Sequence, residues 1–133
     1  MRSNDFIYNP RVSSEAPYGP VNLNELSGIG IVSPLYNVLK AKDEKYLLYM
    51  KYYFKSSLWY RELYKISNQG ARHDRMAFLK KDFLNILVFV PDSDLTHKIG
   101  NLLYKIDKLI NNQNKKLNAF EMIKRSYLQS LFS

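Results

Sequence analysis

Cysteine is absent from the 133 residues. This excludes a disulfide framework, a thiolate-ligated zinc site and a thiol nucleophile. Histidine occurs only as His73 and His97, and the two are not at i, i+4 metal-ligand spacing. Glycine and proline number five each. Gly28 and Gly30 lack the third glycine and following helix of a phosphate-binding loop. Asn9–Pro10 lacks the second proline and aromatic residue found in amino-group DNA methyltransferases, and no pair of acids stands beside a lysine in a nuclease arrangement. Asp92 and Asp94 in PDSD read as turn and N-cap residues rather than metal ligands. The sequence therefore points away from an enzyme and calls for no cofactor. No apolar run reaches the roughly 20 residues that cross a bilayer, and MRSNDFIYNPR lacks the apolar core of a secretory signal. A cytoplasmic protein that does not enter the membrane is expected.

Acidic residues are also in short supply, 12 against 20 Lys and Arg, for a formal net charge of +8 and a pI near 9.6. That excess favours a polyanionic partner, nucleic acid before an anionic membrane surface. What is plentiful is tyrosine, 11 residues beside 7 Phe and one Trp, mostly read as core packing. With 46% hydrophobic and 24% charged residues the composition is that of a folded globular protein.

Four prolines and three glycines fall within residues 1–35, a density that breaks helices and predicts short strands joined by turns. Phe6–Tyr8 is one strand candidate. Ile29, Ile31 and Val32, then Tyr36, Val38 and Leu39, form a second region interrupted at Pro34. From Asp43 the period becomes helical: Leu47, Met50, Phe54, Leu58 and Leu63 predict one helix from about Asp43 to Lys65, its acids Asp43 and Glu44 at the positive end of the dipole. Phe78–Phe83 reads as a helical turn and Ile86–Val90 as a buried strand stopped by Pro91. From Asp94 to Phe132 there is no proline and a single glycine, Gly100. Ile99, Ile106, Gln113, Phe120 and Tyr127 recur every seven residues, with Leu102, Leu109 and Ile123 at the matching second position and Leu103, Ile110 and Leu117 widening the stripe. This heptad pattern predicts a helix roughly 58 Å long, more than a globule of this size needs, which should pack on another helix. Gln113 in the seam either sets register or marks its end. The expected class is α+β: a small mixed domain over residues 1–92, then a coiled-coil-type helix over 93–133.

NQGARHDR (Asn68–Arg75) ends the aromatic helix with a concentration of donors. Lys65, Arg72 and Arg75 are suited to phosphates, and His73 to a phosphate contact. Asn68 and Gln69 carry the paired donor and acceptor that read adenine edges, and Arg72 also fits guanine. Gly70 permits a left-handed turn and close backbone approach. The competing reading is a solvated turn that merely ends a helix.

Four stretches in order resemble the DNA-specificity subunit of type I restriction–modification systems. GIVSPLYNVL (Gly30–Leu39) is similar to the glycine-to-tyrosine stretch of its target recognition domains. KYLLYMKYYFKSSLWYREL is similar to an aromatic helix followed by a polar loop. DFLNILVFVP (Asp82–Pro91) is similar to the strand-and-proline boundary closing that domain. KIGNLLYKIDKLINNQNKKLNAFEMIKRSYLQSLF (Lys98–Phe132) is similar to a spacer helix. The resemblance covers most of the chain from about Phe6 and corresponds to the later part of one recognition domain plus one spacer helix, as in a truncated or split subunit. Leu95, Thr96 and His97 stand where family members often carry Glu-Gln before the spacer lysine. The resemblance implies a non-catalytic DNA-recognition component whose partners are double-stranded DNA, methyltransferase (modification) subunits and a second spacer helix, from its own copy or another specificity chain. S-adenosylmethionine and ATP would belong to those partners. The expected helix-packing residues are Ile99, Leu102, Ile106, Leu109, Gln113 and Phe120. A coiled-coil interaction or regulatory protein without DNA contact is the alternative; a basic RNA-binding protein is disfavoured by the missing aromatic signature of an RNA-recognition sheet.

Overall fold

Strand β1 (Asp5–Tyr8) alternates half-buried and buried residues, so Phe6 and Tyr8 share one face of the pleat and enter the core. The computed structural model describes residues 1–67 and 74–133. In it, β1 is the central strand of a three-stranded antiparallel sheet. Strand β2 (Val21–Leu23) sets Leu23 opposite Phe6 and Val21 opposite Tyr8. Strand β3 (Asn37–Lys40) sets Leu39 opposite Phe6 on the other side. Opposed residues point to the same face, so Val21, Leu23 and Leu39 join Phe6 and Tyr8 over the helices. The β1–β2 connection turns at Gly19, whose φ is +78° and where a Cβ would lie 2.2 Å from the Asn9 carbonyl oxygen. Only glycine fits that close approach.

The mixed α+β class is as the sequence predicts, but several elements differ. Ile29, Ile31 and Val32 form no strand, and Ile31 is fully exposed. β1 pairs with β3 only as far as Tyr8 opposite Asn37, which leaves residues upstream of Pro34 no ladder to join. The single helix expected over Asp43–Lys65 is a 3₁₀ turn (Glu44–Tyr46), α1 (Leu47–Tyr53) and α2 (Tyr60–Ile66). In an unbroken helix Phe54 and Trp59, five residues apart, would point about 140° apart, and both could not enter one core. The break lets them meet edge to face, with ring centroids 5.5 Å apart. Ser56 Oγ donates to the Tyr53 carbonyl at 2.6 Å and Trp59 Nε1 to the Phe54 carbonyl at 3.0 Å, which satisfies the groups the break frees. The third difference is Ile86–Val90, where no strand pairing forms among the described residues. Ile86 and Val88 pack against the core, while Leu87 and Phe89 are 74% and 73% exposed. A buried strand needs partners on both faces, and this segment has the globule on one face alone.

The core is largely aromatic: Phe6, Tyr8, Tyr49, Tyr53, Phe54, Trp59 and Phe83, with Val21 and Leu63. Phe83 closes the short helix α3 (Lys80–Phe83), which is narrower than the Phe78–Phe83 turn expected. Its ring stacks on Phe78 at 5.3 Å and meets Tyr8 at 4.9 Å.

The long helix α4 (Ser93–Phe132) has 40 residues, about 60 Å of axis. Asp92 caps it, Oδ1 accepting from the Leu95 amide at 3.0 Å. Buried Thr96 donates to the Asp92 carbonyl at 2.8 Å, with the Pro91 carbonyl also in reach at 3.1 Å. The chain divides into two compact units, Met1–Gly100 and Asn101–Ser133. The first two turns of α4 thus belong with the sheet and short helices, because Thr96, Ile99 and Gly100 face inward there. Among the described residues no helix is long and apolar enough to cross a membrane.

Candidate nucleic-acid interface

Of the residues the sequence nominates for DNA contact, Asn68, Gln69, Gly70, Arg72 and His73 lie outside the described residues. Lys65 and Arg75 flank them on either side. Lys65 is exposed in the last turn of α2, where a cation is favoured by the helix dipole, and its Nζ pairs with Glu62 one turn earlier. An exposed pair of this kind holds the side chain by well under about 1 kcal/mol, so Lys65 remains free to exchange Glu62 for another anion. Tyr18 of the β1–β2 connection stacks on Tyr60 of α2 with centroids 4.7 Å apart, and Tyr64 meets Tyr18 at 6.5 Å. The end of α2 and that connection are therefore one packed surface.

Arg75 belongs to the same surface from the other side. It forms an isolated antiparallel bridge with Arg11. The Met76 amide donates to the Pro10 carbonyl at 2.8 Å and the Val12 amide to the Asp74 carbonyl at 3.1 Å. Those bonds flank the two arginines instead of joining them, which defines the closer of the two antiparallel pair types. Side chains of such a pair leave the backbone on the same face, with Cβ atoms about 4.5–5.5 Å apart. Two like-charged side chains thereby start from neighbouring positions, which is unfavourable unless an anion lies between them. The neutralisation available among the described residues is slight. Arg75 Nη2 lies 3.5 Å from Asp74 Oδ2, a long contact, and its buried Nε finds no acceptor. Arg11 is exposed. The sequence reading missed Arg11 because 64 positions separate it from Arg75, and only the bridge brings them together.

Along α4 the nominated packing residues separate into two groups. Ile99 packs on the core of the first unit. Leu102, Ile106, Leu109, Gln113 and Phe120 are exposed, Leu102 by 60% and Phe120 by 68%. Ile110, Leu117, Ile123, Leu128 and Leu131 continue the exposed apolar stripe. Asn101–Ser133 carries six Lys and Arg against two Asp and Glu, a net charge of +4. An apolar stripe flanked by cations is therefore the dominant surface of the second unit. Among the described residues no three His, Asp or Glu side chains cluster as metal ligands, and His97 is exposed on α4.

No protein-family model, curated protein or solved structure matches this chain.

Proposed function

We propose that the chain is a non-catalytic DNA-recognition component of the type I restriction–modification kind, in which a small basic domain contacts the duplex and α4 is the spacer helix. The observation that carries this reading is the conjunction of two surfaces. One is a basic surface in the first unit, where Lys65 and Arg75 bracket residues 68–73 in sequence and Arg11 pairs with Arg75. The other is an apolar stripe left exposed along most of a 40-residue helix. Phosphate contacts by Lys and Arg position such a protein on DNA, and the amide and guanidinium groups of Asn68, Gln69 and Arg72 read base edges. The chemistry that uses S-adenosylmethionine and ATP then resides in the partner subunits.

The stripe itself supports pairing with a second spacer helix. Its first heptad position reads Ile99, Ile106, Gln113, Phe120, Tyr127, and its second reads Leu102, Leu109, Lys116, Ile123, Ser130. In a parallel pair of copies, Lys116 would face its own counterpart in the seam, and like charges there are unfavourable. In an antiparallel pair, first positions face second positions. One register then sets Gln113 against Lys116 of the other copy, Ile106 against Ile123, and Leu109 against Phe120. Gln113 and Lys116 then meet at the centre in two symmetry-related contacts, the layers next to them are apolar, and Ser130 falls opposite Ile99 at the ends. The antiparallel register is the one the seam favours.

The test is a gel shift with duplex DNA across a salt series, beside light scattering with and without a modification subunit. Affinity should fall by orders of magnitude between roughly 50 and 200 mM salt. Association without any DNA binding would replace this reading with a coiled-coil regulatory protein, which the exposed stripe alone also fits.

A further inference from the structure

We propose that Arg11 and Arg75 form a two-guanidinium clamp for a phosphate group. The identification of that phosphate with a DNA backbone rests on the function proposed above. The bridge starts the two side chains from one face at the closer antiparallel spacing, and with Asp74 beside Arg75 the group keeps a net charge of +1. The bridge is made by backbone groups alone, so it demands no arginine at either position. The guanidinium of Arg75 has five N–H donors. Among the described residues it spends them on one 3.5 Å contact to Asp74, and its Nε is buried without an acceptor. A phosphate oxygen placed between the two Nη groups gains two charge-assisted hydrogen bonds and removes the repulsion at the same time. Planar guanidinium forks suit tetrahedral phosphate better than ammonium groups do. The bridge fixes where the two side chains leave the backbone, and the ligand then orders the remaining torsions of each fork.

The clamp makes an unusual demand on stability. With no anion present, Arg11 is a liability, so its removal should strengthen the fold. Thermal unfolding of the full chain is followed in low-salt chloride buffer and in inorganic phosphate at matched ionic strength. Wild type should melt higher in phosphate by a few degrees. Arg11→Ala should melt higher than wild type in chloride and show no further rise in phosphate. Arg11→Glu should behave likewise, because Glu supplies Arg75 with the missing partner. A second arm measures fluorescence anisotropy with a short duplex. Arg11→Ala should weaken binding severalfold and reduce the slope of log affinity against log salt by about one. Loss of stability in chloride for both variants, or an undiminished phosphate response, overturns the clamp. Full-strength DNA binding by Arg11→Ala overturns it as a DNA contact and leaves the DNA-recognition reading intact. A phosphate response in a wild type that binds no duplex supports the clamp and removes that reading.

Discussion

Gly100 and Leu48 lie so close that a Cβ on the glycine would sit 2.9 Å from the Leu48 Cβ and 3.0 Å from the Tyr49 amide nitrogen. The start of α4 therefore touches the backbone of α1, and the side chain that is absent makes the contact possible. Gly100→Val should destabilise the first unit by about 1–3 kcal/mol through overpacking. Gly100→Ala should cost less, because alanine regains up to about 1 kcal/mol of helix propensity. Urea denaturation followed by tryptophan fluorescence reads both, since Trp59 lies in that unit.

Trp59 holds the break between α1 and α2. Trp59→Ala should lose about 3–5 kcal/mol of stability, as large core truncations do. Trp59→Phe keeps most of the packing but leaves the buried Phe54 carbonyl without its donor, a cost of about 1–3 kcal/mol. If Trp59→Phe were as stable as wild type, the indole hydrogen bond would contribute nothing.

Burial raises the pKa of Tyr8 well above the ordinary tyrosine value, and Tyr49 moves the same way for the same reason. Below about pH 10 these phenols are neutral in both folded and unfolded chains, so they leave stability unchanged. Above it the unfolded chain ionises first and binds fewer protons than the native state. Stability should then fall with a slope of up to about 1.4 kcal/mol per pH unit for each group. Tyr8→Phe should flatten that alkaline slope while costing about 1 kcal/mol at neutral pH for the lost bond to the Tyr18 carbonyl. Chemical denaturation at pH 8, 10 and 11 measures both effects.

The missing cysteines provide a direct assay of helix orientation. Ile106→Cys and Ile123→Cys each introduce the sole thiol of the chain. Oxidising a mixture of the two should give a mixed dimer in preference to either homodimer if the helices pair antiparallel, and both homodimers if they pair parallel. Leu109→Asp should abolish the association in light scattering, since an unpaired charge in a dry seam costs several kcal/mol.

Periodicity proved most legible where it was long. The heptads from Ile99 onward define α4 to within a residue at its start, and the PDSD cap was readable because Asp92 sits where a free helix amide needs an acceptor. Shorter patterns read less well. The apolar spacing of Leu47, Met50 and Phe54 continues smoothly into Leu58, and nothing local announces that Trp59 must turn inward and break the helix. Leu58 is in fact exposed. β2 is three residues, too short for the alternation of Val21, Asn22 and Leu23 to stand out, and Ile86–Val90 has strand composition without a ladder to join. At the candidate interface, Lys65 and Arg75 were visible as charge near a turn. Arg11 was not, because a cross-strand neighbour is a property of register.

The cationic flanks of α4 give salt two opposing effects on this chain. Ionic strength near 1 M shrinks the Debye length to about 3 Å, which quiets repulsion between two helices that each carry +4 over Asn101–Ser133. The same ions leave apolar burial along the stripe intact, or strengthen it when they are sulfate or phosphate. High salt should therefore drive these chains together while it frees them from a polyanion, and low salt should do the reverse. DNA and a second copy of the chain would then compete through the ionic environment alone, without sharing a single residue of contact.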